Sequence, residues 1–259
     1  MLPSPCYVLS DTHLGFAPAE VERMLRAFLR TLPGRAGSVV INGDLFEFWF
    51  EWRRVMPRAG FRVLGALADL HDAGVPVLMI AGNHDCWGGE ILREDAGIDF
   101  EFGPWTGTLA GWHARIEHGD GLRDVEDRRY RALRRVLRNP LAIRAFRWIH
   151  PDWSIALAGG SSHASRSYAA RDGGRGLRQV AERQLQGDRS LELVIYGHSH
   201  VPALERLTGG GVYANAGSWL DAPTFLRITP ERAELRRWDG SADGVLLHAV
   251  DRAAEEALA

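Results

Sequence analysis

Short, evenly apolar runs alternate with stretches of helical period along the first part of the chain. Cys6 to Leu9, Val39 to Ile41 and Val77 to Ala81 are too brief and too uniformly apolar for amphipathic helices, and predict buried strands. Between them, Glu20 to Leu32 and Phe61 to His71 place apolar residues at helical spacing, and the second run stops at Asp72-Ala73-Gly74-Val75-Pro76. That alternation predicts an α/β architecture. From Ile98 to Glu117 the pattern turns to strands broken by Gly103-Pro104, Gly107 and Gly111, which predicts hairpins. Residues 191–238 read as strand-rich again, with Leu193 to Tyr196, Val212 to Ala214, Thr224 to Ile228 and Ala233 to Trp238. The expected fold class is α/β (α+β): a mixed β-sandwich flanked by helices, not one doubly wound sheet.

Residues 122–190 break this pattern. Tyr130 to Trp148 has helical spacing, interrupted at Pro140, which cannot continue a helix interior. A second helix is expected from Ala169 or Leu177 to Leu185, with turns at Gly159-Gly160-Ser161-Ser162 and Gly173-Gly174. Residues 121–190 hold 15 Arg against 7 Asp plus Glu, a formal +8, so the remainder carries 16 Arg against 26 acids, or −10. The expected organisation is a core of residues 1–121 and 191–259 with a basic helical insertion at 122–190.

Composition narrows the function classes. The 259 residues carry a formal charge of −2, which argues against a basic nucleic-acid-binding domain. Cys6 and Cys86 form no C-x-x-C, and all 31 basic residues are arginine, which excludes a Schiff-base or P-loop lysine. No targeting signal or bilayer-length apolar run is present, so a soluble, cytoplasmic protein is expected.

Five polar motifs each follow a predicted strand: Asp11-Thr12-His13, Gly43-Asp44, Gly82-Asn83-His84-Asp85, His118-Gly119-Asp120 and Gly197-His198-Ser199-His200. Polar groups at the carboxyl ends of neighbouring strands converge on one crevice. Asp11 with His13, and His198 with His200, are i, i+2 pairs whose members share a side in extended backbone. Carboxylate, amide and imidazole donors suit two divalent metal ions, with Mn expected first and Fe, Zn or Mg as alternatives. Asp44 could bridge them, with Asp11, His13 and His200 on one ion and Asn83, His118 and His198 on the other. Two such ions lower the pKa of a water and clamp a phosphoryl group, which predicts hydrolysis of a phosphorus ester or anhydride. Any one motif alone is more simply a turn or cap; the five in order, each behind a strand, are what carries the metal reading.

These motifs, spanning residues 11–200, resemble the signature of the calcineurin-like metallophosphoesterase superfamily. The resemblance implies the flanked β-sandwich, the dinuclear site, and His84 as the catalytic group that contacts phosphate and protonates the departing oxygen. A narrower similarity rests on Gly43-Asp44-Leu45-Phe46-Glu47-x-Trp49, His118-Gly119-Asp120-Gly121-Leu122, and Tyr130 leading to Arg134, Arg135 and Asn139-Pro140. Together with the insertion, these resemble the UDP-2,3-diacylglucosamine hydrolases of lipid A biosynthesis. That family implies cleavage of a diphosphate under a cap with an acyl groove, to which Trp148, Ile149, Trp153, Ile155 and Leu157 could contribute. It implies substrate contacts from Asn83, His84 and His198, and from Tyr130, Ser162 and Arg166 in the cap. With no lysine, cap phosphate contacts fall to arginine, Arg166 or Arg171. Peripheral contact with the inner face of a membrane is expected from the basic, aromatic cap. A soluble-substrate phosphodiesterase or dinucleoside polyphosphate hydrolase, and a non-catalytic scaffold of the same fold, are the competing readings.

Overall fold

The computed structural model describes residues 1–124, 127–155 and 172–252. Among the described residues, twelve strands form two mixed sheets. Strands β1 (Cys6–Leu9), β2 (Ser38–Asn42), β3 (Val77–Ile80) and β4 (Ile98–Glu101) run parallel. They continue through antiparallel β10 (Thr224–Ile228), β11 (Arg232–Arg237) and β12 (Val245–Asp251) into a seven-stranded sheet ordered β12-β11-β10-β1-β2-β3-β4. Strands β5 (Trp105–Leu109), β6 (Trp112–Ile116), β7 (Leu193–Tyr196), β8 (Ala203–Arg206) and β9 (Val212–Asn215) form the second, ordered β5-β6-β7-β9-β8.

Alternation within the apolar runs builds the layers. Val8, Val40, Leu78 and Ile80 face Ala114, Ile116, Leu193, Ile195 and Ala214 in the core between the sheets. Their neighbours Tyr7, Leu9, Val39, Ile41, Val77 and Met79 face outward, under α1 (Ala19–Leu29) and α2 (Phe61–Asp72). Both faces of these strands are covered, which is why they read as unbroken apolar runs. The expected flanked sandwich is the fold observed.

The details depart from expectation at three places. The stretch from Ile98 to Glu117 contains one hairpin, not a series: β4 pairs parallel with β3, and the chain crosses to the other sheet before the β5–β6 hairpin. Pro140 starts a helix as well as ending one. α3 (Arg128–Leu137) closes before it, and α4 (Pro140–Phe146) opens on it, with the Asn139 side chain accepting from Leu141 N at 2.8 Å. Finally α5 (Arg175–Gly187), inside the expected insertion, packs Leu177, Val180, Ala181 and Leu185 onto Val194, Tyr196 and Tyr213 of the second sheet. It supplies the helical layer on that face. α3 and α4 lie across the other end, where Ile143 and Phe146 meet Phe48, Phe50, Trp52 and Trp87.

Candidate metal centre

The parallel strands end at one rim of the sandwich. β1, β2 and β3 deliver Asp11, His13, Asp44, Asn83 and His84, while β6 and β7 deliver His118, His198 and His200. β1 ends at Leu9 and β7 at Tyr196, so both i, i+2 pairs lie beyond extended backbone. Asp11, His13, His198 and His200 take φ of 54°, 52°, 61° and 60°, and Asp44 takes 52°. The pairs therefore converge through alternate left-handed residues, not through strand pleat as expected. Among the described residues one other non-glycine, Ala110 in the β5–β6 turn, has positive φ. Such conformations cost about 1–3 kcal/mol each and persist where surrounding contacts over-determine them. Here Asp11 N donates to Gly43 O (3.1 Å), and Thr12 N and His13 N both donate to Asp44 O (2.9 and 3.0 Å). Glycines let the loops close: a Cβ on Gly43 would stand 2.3 Å from His118 Nδ1, and one on Gly197 would stand 2.2 Å from Ser10 Oγ.

Three overlapping groups have ligand atoms within 4.8 Å of one another: Asp11, His13 and His200; His13, Asp44 and His84; and Asp44, His118 and His198. Asp44 Oδ2 lies 3.2 Å from His118 Nε2 and 4.0 Å from both His13 Nε2 and His84 Nε2, so it faces both halves of the cluster. Asp11 Oδ1 is 3.4 Å from His200 Nε2, and the Nε2 atoms of His13 and His200 are 3.3 Å apart. The first group joins Asp11, His13 and His200, and the third joins Asp44, His118 and His198, two candidate sites side by side. Asn83 sits between Gly82 and His84 on the same rim, half-buried.

Outer partners fix the imidazoles. His118 Nδ1 donates to the Asn42 carbonyl (2.8 Å) and His84 Nδ1 to the Glu47 carbonyl (3.0 Å). A carbonyl can only accept, so both Nδ1 atoms carry hydrogen. His13 Nδ1 pairs with Glu47 Oε2 and His200 Nδ1 with Asp221 Oδ2, each at 3.0 Å. All four rings thus leave Nε2 for the interior, as metal-ligating histidines do when a carbonyl or carboxylate holds the other nitrogen. Asp11 Oδ2 accepts from Ser10 Oγ and from His198 N (3.0 Å), and Asp44 Oδ1 accepts from His84 N (2.9 Å). Asp11 Oδ1 and His118 Nε2 remain buried without hydrogen-bond partners. Buried orphan donors and acceptors of mixed carboxylate and imidazole type fit divalent cations and not a thiolate-seeking metal.

The charges agree. Burial disfavours ionised His118, but Asp44 and Asp11 beside it hold its pKa well above the usual imidazole value. His200 is likewise pushed up to about 9, burial being outweighed by Asp11 and Asp221. Asp11 and Asp44 are held below the ordinary carboxylate range, their burial overcome by neighbouring histidines. His198 is driven down to about 4 by burial and by His118. Protons on His118 and His200 thus balance carboxylates that two cations would otherwise neutralise.

A family model for calcineurin-like phosphoesterases matches residues 4–202. The chain belongs to the calcineurin-like phosphoesterase family. Within that family it is similar to a UDP-2,3-diacylglucosamine hydrolase of Porphyromonas gingivalis, 39% identical over 63% of this chain and 64% of the relative. That match spans just under two thirds of the relative's length. A second UDP-2,3-diacylglucosamine hydrolase, from Stenotrophomonas maltophilia, is 31% identical over 85% of this chain and 93% of its own. Among solved structures, a dimetal phosphatase from Danio rerio shares the fold with TM-score 0.51 at 12% identity, covering 96% of this chain and 100% of its own. The calcineurin-like family and the clustered ligands together make this a dinuclear, phosphoesterase-type site.

The remaining site residues of this family member divide into placed and unplaced. Tyr130 stands at the start of α3, and its hydroxyl donates to Asp120 Oδ2 at 2.7 Å. Ser162 and Arg166 lie outside the described residues, as do Leu157 and Arg171. Asp85 reaches no metal position: its carboxylate accepts from Asp44 N, Leu45 N, Phe46 N and Gly82 N, holding the Asp44 loop. Burial and the nearby Asp44 charge push its pKa up to about 7. Glu47 and Asp221 orient His13, His84 and His200; the sequence places Glu47 in the Gly43 to Trp49 motif without that role and does not mark Asp221. Glu47 was legible as the acid three residues after Asp44; Asp221 had only its place behind the Ser218-Trp219 turn.

Proposed function

We propose that this chain cleaves the diphosphate of UDP-2,3-diacylglucosamine with water, releasing UMP and 2,3-diacylglucosamine 1-phosphate. The observation that carries the reading is the inward-facing cluster of carboxylates and Nε2 atoms at the rim, with an arginine-rich cap beside it. Two similar proteins bear the name of that hydrolase. Asp11, His13 and His200 would hold one divalent cation, Asn83, His118 and His198 the other, and Asp44 would bridge them. Cations held there would lower the pKa of water and would supply positive charge for the phosphoryl oxygens. His84 acts at Nε2, since its Nδ1 hydrogen is committed to the Glu47 carbonyl; in the imidazolium form it donates to the departing phosphate oxygen.

The cap, assigned to residues 122–190 with α3 and α4 at its front, meets the lipid part of the substrate. Trp148 and Trp153 are 89% and 74% exposed, and Leu141, Arg144 and Arg147 are exposed nearby. Bare indole beside guanidinium suits an anionic lipid surface, which supports peripheral attachment to the cytoplasmic face of the inner membrane. No helix of the described residues is long and apolar enough to cross a membrane.

UMP release from UDP-2,3-diacylglucosamine with added Mn, run beside bis(p-nitrophenyl) phosphate and dinucleotides, tests the reading. Turnover of the lipid nucleotide supports it. Turnover of only the soluble compounds replaces it with a soluble-substrate phosphodiesterase, and absence of both metal and turnover leaves a scaffold.

A further inference from the structure

α3 lacks the buried apolar stripe that seats the other long helices. None of its described side chains is buried, and Leu133 and Val136 are 51% and 58% exposed. Its sequence, RRYRALRRVL, contains no acid. A row at i, i+4 and i+8 closes instead on one carboxylate. Tyr130 OH donates to Asp120 Oδ2 at 2.7 Å, Arg134 Nε lies 3.4 Å from the same oxygen, and Arg138 at the helix end lies 3.8 Å from it. Arg134 also donates to the Asp120 carbonyl at 2.9 Å, and Arg138 to the Phe102 carbonyl at 2.7 Å. Asp120 is 1% exposed and sits two residues beyond His118, joined to it through Gly119. One buried carboxylate therefore takes a phenol and two guanidiniums from the cap while sharing a loop with a metal ligand. Its removal would leave the two cations side by side without their counter-charge, a costly arrangement in a partly buried place. Trp87 Nε1, donating to Leu137 O at 2.8 Å, ties the far end of the helix to the body, and Arg131 donates to the carbonyls of Arg123 and Asp124 at 2.9 and 2.8 Å.

We propose that Asp120 is a positioning residue that sets α3 against the metal centre and thereby governs the binding of substrates large enough to reach the cap. Small diesters need only the rim and are insensitive to it. The inference rests on the reading above, in which the rim hydrolyses phosphoric esters and the cap meets the larger substrate.

The test compares Asp120→Asn with the parent chain, both loaded with Mn, on two substrates and by amide exchange. The expected result is a rise of about tenfold or more in KM for UDP-2,3-diacylglucosamine, with kcat/KM for bis(p-nitrophenyl) phosphate within about threefold and metal content unchanged. Exchange over residues 128–138 should quicken, while the strands keep their protection. The double variant R134Q/R138Q removes the same ion pairs from the cap side and should reproduce the pattern; it decides the matter if Asp120→Asn does not fold. Unchanged exchange over 128–138 overturns the proposal. So does an equal loss on both substrates, which would place Asp120's effect on the His118 loop. If the lipid nucleotide is no substrate at all, the proposed substrate fails by itself, and exchange over 128–138 with the small-diester rate still decides the role of Asp120.

Discussion

α1 and α3 are nearly equal in length, 11 and 10 residues, but are held in opposite ways. α1 buries Val21, Leu25, Phe28 and Leu29 under the seven-stranded sheet, each worth about 1.5–3 kcal/mol. Among its described side chains α3 buries none fully, and it is held by directed polar contacts, chiefly at Asp120 and Trp87. The comparison separates a body stabilised by non-directional burial from a cap aligned by a few polar atoms. Stability and alignment are then different properties, lodged in different residues.

The largest effect should come from the rim itself. Asp44→Ala is expected to lower hydrolysis of bis(p-nitrophenyl) phosphate on the order of a thousandfold and to reduce metal content below that of the parent, with far-UV circular dichroism unchanged. Native-like activity would mean that Asp44 faces no cation. Next comes the contrast between the helices. Leu25→Ala should destabilise the fold by about 2–5 kcal/mol in urea unfolding, whereas Leu133→Ala should stay within about 0.5 kcal/mol. Equal losses would erase the distinction between body and cap. Glu47→Gln keeps the carbonyl bond to His84 but weakens the one that orients His13. Metal affinity, read by competition with a chelator, should fall by about 10- to 100-fold. The smallest effect is with pH. His118 and His200 carry raised pKa values, the latter about 9, and are protonated in the metal-free chain at pH 7. Binding must displace those protons, so apparent affinity should rise with pH from 7 as His118 and His200 give up their protons more easily. Calorimetry in buffers of different ionisation enthalpy would show proton release at pH 7; its absence contradicts the assigned charges.

The sandwich was legible in the sequence because its parallel strands are covered on both faces, which leaves unbroken apolar runs. β12 escaped notice because it is an edge strand whose residues, such as Val245, Leu246 and Leu247, are exposed. β8 alternates Leu204 with Glu205 over too few residues to stand out. The cluster was legible for a different reason: five motifs each trail a strand, and strand order brings their ends to one rim. The pairing of its supporting residues with the histidines was not. Glu47 lies 34 positions from His13, and Asp221 lies 21 from His200, and no local period links such partners. The i, i+2 spacing pointed to the right convergence by the wrong backbone, since residues beyond a strand end are free of the pleat.

The left-handed residues of the candidate metal centre carry a last implication. Five strained residues at about 1–3 kcal/mol each represent a burden comparable with the net stability of an ordinary domain. Replacing any one of them with glycine would relax the backbone and remove a candidate metal-binding side chain in the same step. Glycine at these positions would therefore exchange the site's chemistry for an unstrained backbone, whereas other residues would keep the strain and lose the contacts. The rim is the place where this fold trades robustness for reactivity.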